Sequence, residues 1–198
     1  MGSAPPPDAA AKAWRRDERA RLIAERSALT PGAHTAMSAA LEAALEAQFP
    51  PGSLGLVAGY WPIRGEFDPR PYLQRTLAAG GRAALPVVTG PRTVLQFRAW
   101  TPETAMEAGV WRIQHPARGP WVTPDALLIP LVGFDAAGHR LGHGGGFYDR
   151  TLAAIGPRPR AIGLGFEFGR LAHLAPRWHD MAMDAIVTEA GVVFEGRL

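Results

Sequence analysis

The chain contains no cysteine. That absence excludes disulfides, cysteine-ligated zinc, iron–sulfur clusters and a thiol nucleophile together, and it fits a reducing, cytoplasmic setting. No apolar run approaches the roughly 18 residues that a membrane span needs, so no membrane partner is expected. The opening Met1-Gly2-Ser3-Ala4-Pro5-Pro6-Pro7 lacks the basic head and apolar stretch of a secretory signal. Core-forming residues are not scarce. Hydrophobic residues make up 47% and charged residues 20% of the 198, as in an ordinary soluble domain. Glycine (23) and proline (19) are abundant, but together they stay below the roughly 25–30% typical of low-complexity chains.

The net charge is +3. The excess is local: Lys12, Arg15, Arg16, Arg19, Arg21 and Arg26 face only Asp17, Glu18 and Glu25. A basic helix of this kind suits a nucleic acid, an anionic membrane surface or a phosphorylated ligand. It has no aromatic interleaving and no nucleic-acid module motif, so no nucleic-acid partner is expected.

Residues 1–11 read as a disordered tail, because they are small and proline-rich with nothing to pack. A basic helix is expected over 12–29. A second helix begins after Thr30, a candidate N-cap, with Pro31 in its first turn. Met37, Leu41 and Leu45 give it one apolar face as far as Gln48. Strands are expected at 54–61, 82–88, 94–100, 126–132, 161–166 and 186–188, followed by a Gly191 turn and Val192-Val193-Phe194. Helices are expected at 69–79 and 147–155. Residues 101–125 read as irregular and 134–146 as a glycine-rich loop. Strands alternating with helices predict an α/β fold: a single three-layer domain over 12–198, its mostly parallel central sheet carrying helices on both faces. Ligands then sit beyond the carboxyl ends of the strands, where the loops 62–68 and 133–146 are placed.

The densest chemistry lies in Gly133-Phe134-Asp135-Ala136-Ala137-Gly138-His139-Arg140-Leu141-Gly142-His143-Gly144-Gly145-Gly146-Phe147-Tyr148-Asp149-Arg150. A strand leads into spaced glycines and then directly into a helix. Glycines let backbone amides converge on an anion, and the helix N-terminus adds unpaired N–H groups. Arg140 contributes charge, and Asp149 can hold a divalent metal against phosphates. The pattern is neither a Walker A loop nor the dinucleotide fingerprint.

Phe134 to Leu152 resembles the signature F-D-x-x-G-x-R-L-G-x-G-x-G-[YF]-Y-D-x-x-L of the 5-formyltetrahydrofolate cyclo-ligase family. Tyr60-Trp61-Pro62 with Glu66 and Asp68 resembles that family's substrate loop. Ile113 to Pro116 resembles its Ile-x-x-Pro turn, and His179 to Glu189 its closing segment. The resemblance implies an ATP- and Mg²⁺-dependent ligase that converts 5-formyltetrahydrofolate to 5,10-methenyltetrahydrofolate. The γ-phosphoryl group goes to the formyl oxygen, N10 closes the ring, and ADP and phosphate leave. A non-catalytic folate- or nucleotide-binding relative of the same fold is the alternative.

Carried over residue by residue, the resemblance implies an ATP loop of Arg140, Leu141, Gly142, His143, Gly144, Gly145, Gly146, Phe147 and Tyr148. Asp149 and Asp184 would be the metal positions, with Arg140, Tyr148 and Asp149 catalytic. Tyr60, Trp61, Glu66 and Tyr148 would meet the folate, Glu66 by accepting two hydrogen bonds from the pterin. A Lys-x-x-Leu-Arg element on the basic helix would contact ATP. It fits Lys12 with Arg16, or Arg15 with Arg19 if Arg26 sets the register. Gly169 stands near a position where the family commonly has a folate-contacting glutamine. The small-molecule substrates are the only partners expected, on a monomer.

Plainer readings apply to several residues. Glu66 in a polar loop would be solvated, Asp184 a turn cap, and Trp61, Trp111 and Trp121 packing residues. His139 and His143 lack a third ligand for zinc. His173, His179 and Asp180 accompany no serine in a nucleophile elbow and read as structural.

Overall fold

The computed structural model describes residues 7–174 and 176–196. In chain order the elements begin with α1 (Pro7–Ser27), α2 (Pro31–Gln48), β1 (Leu56–Ala58), α3 (Arg70–Ala78), β2 (Arg82–Val88) and β3 (Leu95–Ala99). There follow β4 (Met106–Ala108), β5 (Gln114–Pro116), β6 (Trp121–Val122), β7 (Ala126–Pro130), β8 (Gly133–Asp135) and β9 (Arg140–Leu141). The last are α4 (Phe147–Ala154), β10 (Arg160–Leu164), β11 (Arg170–Leu171), β12 (Ala185–Thr188) and β13 (Gly191–Glu195).

Helix α1 begins earlier than the sequence suggested. Pro7 stands at its start and the run from Ala9 to Lys12 is rich in helix-forming residues. Residues 7–11 of the expected disordered tail are therefore helical, and residues 1–6 lie outside the described residues. Helix α2 is capped as its sequence indicated, with Thr30 Oγ1 accepting the Ala33 amide at 3.2 Å.

The main sheet has the order β13-β12-β10-β7-β1-β2-β3-β6. The five strands from β12 to β2 are parallel, and β13, β3 and β6 join antiparallel at the edges. Alternation divides the core into two layers. Val57, Leu85, Leu128, Ile162 and Val187 pack with Leu41 and Leu45 of α2 and Tyr72 and Leu73 of α3. Leu56, Ala84, Leu127, Ile129 and Ile186 pack with Leu152 of α4. Helices thus cover both faces. From β1 the chain crosses through α3 to β2 on one side. From β7, beside β1 on the other side, it crosses through α4 to β10. The gap between the carboxyl ends of β1 and β7 is therefore a topological switch point, where open α/β sheets bind ligands. Helix α1 closes this end, with Leu22 packed on Val132, Leu141 and Leu174.

Some regular structure lay below the sequence signal. The irregular stretch holds a β4–β5 hairpin and the edge strand β6. The glycine-rich stretch holds a β8–β9 hairpin, joined by β11. Its turn is built by Asp135, whose Oδ1 accepts the Ala137 and His139 amides at 3.0 Å each, and by Gly138 at φ +82°. Strands of two or three residues are too short to show alternation. Among the described residues no helix is long and apolar enough to cross a membrane.

Candidate active site

Because β1 and β7 run side by side in the same direction, the chain leaving each enters the same space. The loop after β1 carries Tyr60, Trp61 and Glu66, and the glycine run after β9 carries His143. Their meeting is direct: His143 Nε2 lies 2.7 Å from Glu66 Oε1. Against a carboxylate this nitrogen carries the proton. Glu66 is not the solvated residue its loop suggested, for its side chain is 3% exposed. Oε2 accepts the Ile63 amide at 2.9 Å, and the Arg26 guanidinium stands 3.8 Å from Oε1.

Arg26 is buried as well. Its Nε donates to Arg64 O at 2.9 Å and its Nη1 to Leu131 O at 3.3 Å, while the buried Nη2 has no hydrogen-bond partner. It ties α1 to the ends of both loops. A charge this deep needs an opposite charge nearby, and Glu66 supplies it. Tyr60 donates its hydroxyl to Phe67 O at 2.9 Å. Burial first, then the charge of Glu66, pushes the ionisation of Tyr60 well above the usual phenol value, with Arg26 working against it. Tyr148 is raised by the same two causes and opposed by Arg140. Both hydroxyls therefore stay protonated beside the carboxylate. Trp61 lies under the Arg70 guanidinium, 4.2 Å from ring centroid to Cζ.

Helix α1 approaches the glycine run from the other side. Arg19 Nε donates to Gly142 O at 2.6 Å. A Cβ placed on Gly144 would lie 3.4 Å from the Arg19 Cζ. Arg15 pairs with Asp180 at 2.6 Å. Burial alone would raise the Asp180 carboxyl, but the Arg177 amide and Arg15 hold it below its ordinary value. Lys12 and Arg16 are exposed, and Arg16 pairs with its neighbour Asp17. Arg19 thus meets the glycine run and Arg15 meets Asp180, while Lys12 and Arg16 stand at exposed positions of α1. Arg15, Arg19, Leu22 and Arg26 recur on one helical face, a period that was available in the sequence.

The glycines serve the turn into α4. Gly144 has φ +92° and Gly146, the residue before the helix, φ +64°, values that side chains other than glycine's rarely adopt. A Cβ on Gly146 would also sit 2.8 Å from Arg150 Nη1. Arg150 donates to Gly145 O at 2.8 Å and braces the run from the α4 side. Trp111, at φ +56°, meets the Phe147 ring edge-on with centroids 5.7 Å apart, so the 110–112 turn reaches the mouth of the site. Trp121, by contrast, stacks on Arg98 at an edge of the sheet.

Asp149 stands in the first turn of α4. Its Oδ1 accepts Arg140 Nη2 at 2.7 Å and the Met181 amide at 3.1 Å. Arg140 is nearly enclosed and gives Nη1 to Met181 O at 2.9 Å. Its guanidinium is spent on holding Asp149 rather than directed into the glycine run. Among the described residues Asp184 shares no partner with Asp149. Its carboxylate takes Arg158 at 2.8 and 3.0 Å and the Ala161 amide at 2.6 Å, at the amino ends of β10 and β12. Those partners lie 23 and 26 residues away, so Asp184 ties the start of β12 to the start of β10 rather than capping a local turn. Gly169 is forced by packing, since a Cβ there would meet Val132 O at 2.9 Å and Gly133 Cα at 3.4 Å. No side chain fits at that point, glutamine included. His139, beside Asp135, and His143 have different partners. Among the described residues no group of three or more His, Cys, Asp or Glu side chains could hold a metal unaided. The loop-bracing roles of Arg26 and Arg150 escaped the sequence reading, because their hydrogen-bond partners are backbone carbonyls that no motif records.

This geometry has relatives. A profile of the 5-formyltetrahydrofolate cyclo-ligase family matches residues 11–189. The 5-formyltetrahydrofolate cyclo-ligase of Escherichia coli K12 is 32% identical over 144 residues, 69% of this chain and 79% of that protein. The enzyme of the same name from Mycolicibacterium smegmatis is 30% identical over 148 residues, covering 69% and 75%. Among solved structures, the 5,10-methenyltetrahydrofolate synthetase of Aquifex aeolicus superposes with a TM-score of 0.79 at 27% identity, over 93% of this chain and 95% of that one. The synthetase of Mycoplasma pneumoniae shares the fold at a TM-score of 0.73 and 23% identity. With a match spanning nearly its whole length and a glycine run that agrees at every fixed position, the chain belongs to the 5-formyltetrahydrofolate cyclo-ligase family.

Proposed function

We propose that the chain converts 5-formyltetrahydrofolate to 5,10-methenyltetrahydrofolate at the expense of ATP, with Mg²⁺. The observation that carries this reading is the meeting of the two loops: a buried carboxylate suited to a pterin touches the glycine run suited to a polyphosphate. Formyl oxygen is a poor leaving group until it is phosphorylated. Catalysis of this kind needs positioning and charge neutralisation more than a protein nucleophile, which suits a chain without cysteine.

In this scheme Glu66 accepts the pterin's amino group and ring N–H. Backbone amides at the start of α4, with Arg19, bind the phosphates. Tyr148, held protonated, is a hydrogen-bond donor between the two substrates. Asp149 fits a magnesium ion: among the described residues its Oδ2 accepts no hydrogen bond, and Mg²⁺ usually takes one or two carboxylates and completes its shell with phosphates and water. When bound, the ion supplies charge neutralisation on the transferring phosphoryl group. Arg140 keeps Asp149 in place. Asp184 in its present contacts would have to leave Arg158 to serve as a second ligand. A monomeric state and cytoplasmic residence belong to the same proposal.

The test is an absorbance assay of purified protein with Mg·ATP and 5-formyltetrahydrofolate. Growth of the methenyl product's near-ultraviolet band that requires ATP is expected. Absence of growth while both ligands bind would overturn the catalytic reading in favour of a ligand-binding relative.

A further inference from the structure

Glu66 is enclosed in a way that its proposed role does not permit. A pterin has to reach the carboxylate, yet that side chain is 3% exposed. Among the described residues three polar groups meet its carboxylate, and they differ in freedom. The Ile63 amide belongs to the same turn. Arg26 is 4% exposed and fastened to two backbone carbonyls. His143 is different. Its side chain is 28% exposed, and Glu66 is its one polar partner among the described residues. It stands between two glycines, Gly142 and Gly144, the second at φ +92°. His143 is thus the neighbour on the solvent side and the one able to move.

We propose that His143 is a gate that couples the two substrates. Resting on the proposed cyclo-ligase reading, this inference makes His143 a positioning residue that covers Glu66 until nucleotide occupies the glycine run. Phosphates drawn onto the amides of residues 144–147 re-form the backbone that carries His143. The ring then leaves Oε1, and the carboxylate opens to the pterin. Without nucleotide, the folate must displace the histidine itself. Coupling between two ligands is reciprocal, so each tightens the other by the same factor.

The test measures the dissociation constant of 5-formyltetrahydrofolate by calorimetry, with and without Mg²⁺ and a non-hydrolysable ATP analogue. Wild type, His143→Ala and His143→Gln are compared. In wild type the analogue should tighten folate by at least about fivefold, and folate should tighten the analogue equally. In His143→Ala, folate should bind the nucleotide-free protein at least about fivefold more tightly than wild type does, and most of the coupling should vanish. His143→Gln keeps a donor of similar reach and should retain the coupling, an outcome that a merely structural role for the ring does not give. Unchanged or weaker folate binding by nucleotide-free His143→Ala, or undiminished coupling in it, overturns the gate. Binding of both ligands to wild type without coupling also overturns the gate alone, whereas failure of wild type to bind either ligand overturns the cyclo-ligase reading beneath it.

Discussion

Glu66 and Asp149 are both carboxylates in hydrogen-bonded niches, and they are built for different tasks. Glu66 has both oxygens occupied and a buried guanidinium behind it. Asp149 has one oxygen fixed by Arg140 and the Met181 amide and the other open among the described residues. Glu66→Gln therefore removes an acceptor edge. It should raise the folate KM by about 10- to 100-fold, the cost of a lost charged hydrogen bond, and leave the ATP KM nearly unchanged. Equal effects on both constants in steady-state kinetics would contradict its assignment to the pterin. Asp149→Asn keeps an oxygen for Arg140 and Met181 but loses the charge that a metal needs. Turnover should fall by about 100-fold or more while the thermal midpoint stays close to that of wild type. Circular dichroism and the absorbance assay together check this pair of outcomes.

Helix α1 shows what an element adds that a motif does not. Its sequence advertised a basic helix. Its structure shows a clamp, with Arg19 on the glycine run, Arg15 on Asp180 and Arg26 across both loops. Arg19→Ala should raise the ATP KM about tenfold or more, the scale of a charge-assisted hydrogen bond. Arg16→Ala should leave the ATP KM within about twofold, since an exposed ion pair contributes little. The reverse order would return the Lys12–Arg16 register. The regular elements were legible because their signals are local: a threonine cap before α2, alternation in β3, an unbroken apolar run in β7. The β4–β5 and β8–β9 hairpins were not, since two- and three-residue strands carry no period. Asp184 and Gly169 show the limit of a motif match. Both residues could be read by position, but the contacts that engage them, Arg158 in one case and the backbone at Val132 and Gly133 in the other, come from chain folded elsewhere.

At the scale of the whole molecule, the two-layered core fixes how stability responds to alkali. Tyr72 is fully buried between α3 and the sheet and donates its hydroxyl to Phe49 O at 2.9 Å. Burial raises its ionisation from 10.0 to about 12. A group raised in the folded state contributes stability in full below its unfolded value, and loses it as the pH climbs through the folded one. Stability should thus decline between pH 10 and about 12, with Tyr60 and Tyr148, also raised by burial, extending the decline upward. Denaturant titrations across that range should show a shallower decline for Tyr72→Phe, and an unchanged slope would remove Tyr72 as a cause.

The distance along the chain between the clamp's partners has a consequence for synthesis. Arg26 waits 105 residues for Leu131, Arg19 waits 123 for Gly142 and Arg15 waits 159 for Leu174. Helix α1 is therefore synthesised well before the segments that hold it, and its apolar Leu22 has no Val132, Leu141 or Leu174 to pack on until they follow. A nascent chain halted after β7 contains three of the five parallel strands and neither the glycine run nor α4. The groove into which α1 closes is built by the C-terminal third, so the site cannot be assembled before that part of the chain exists.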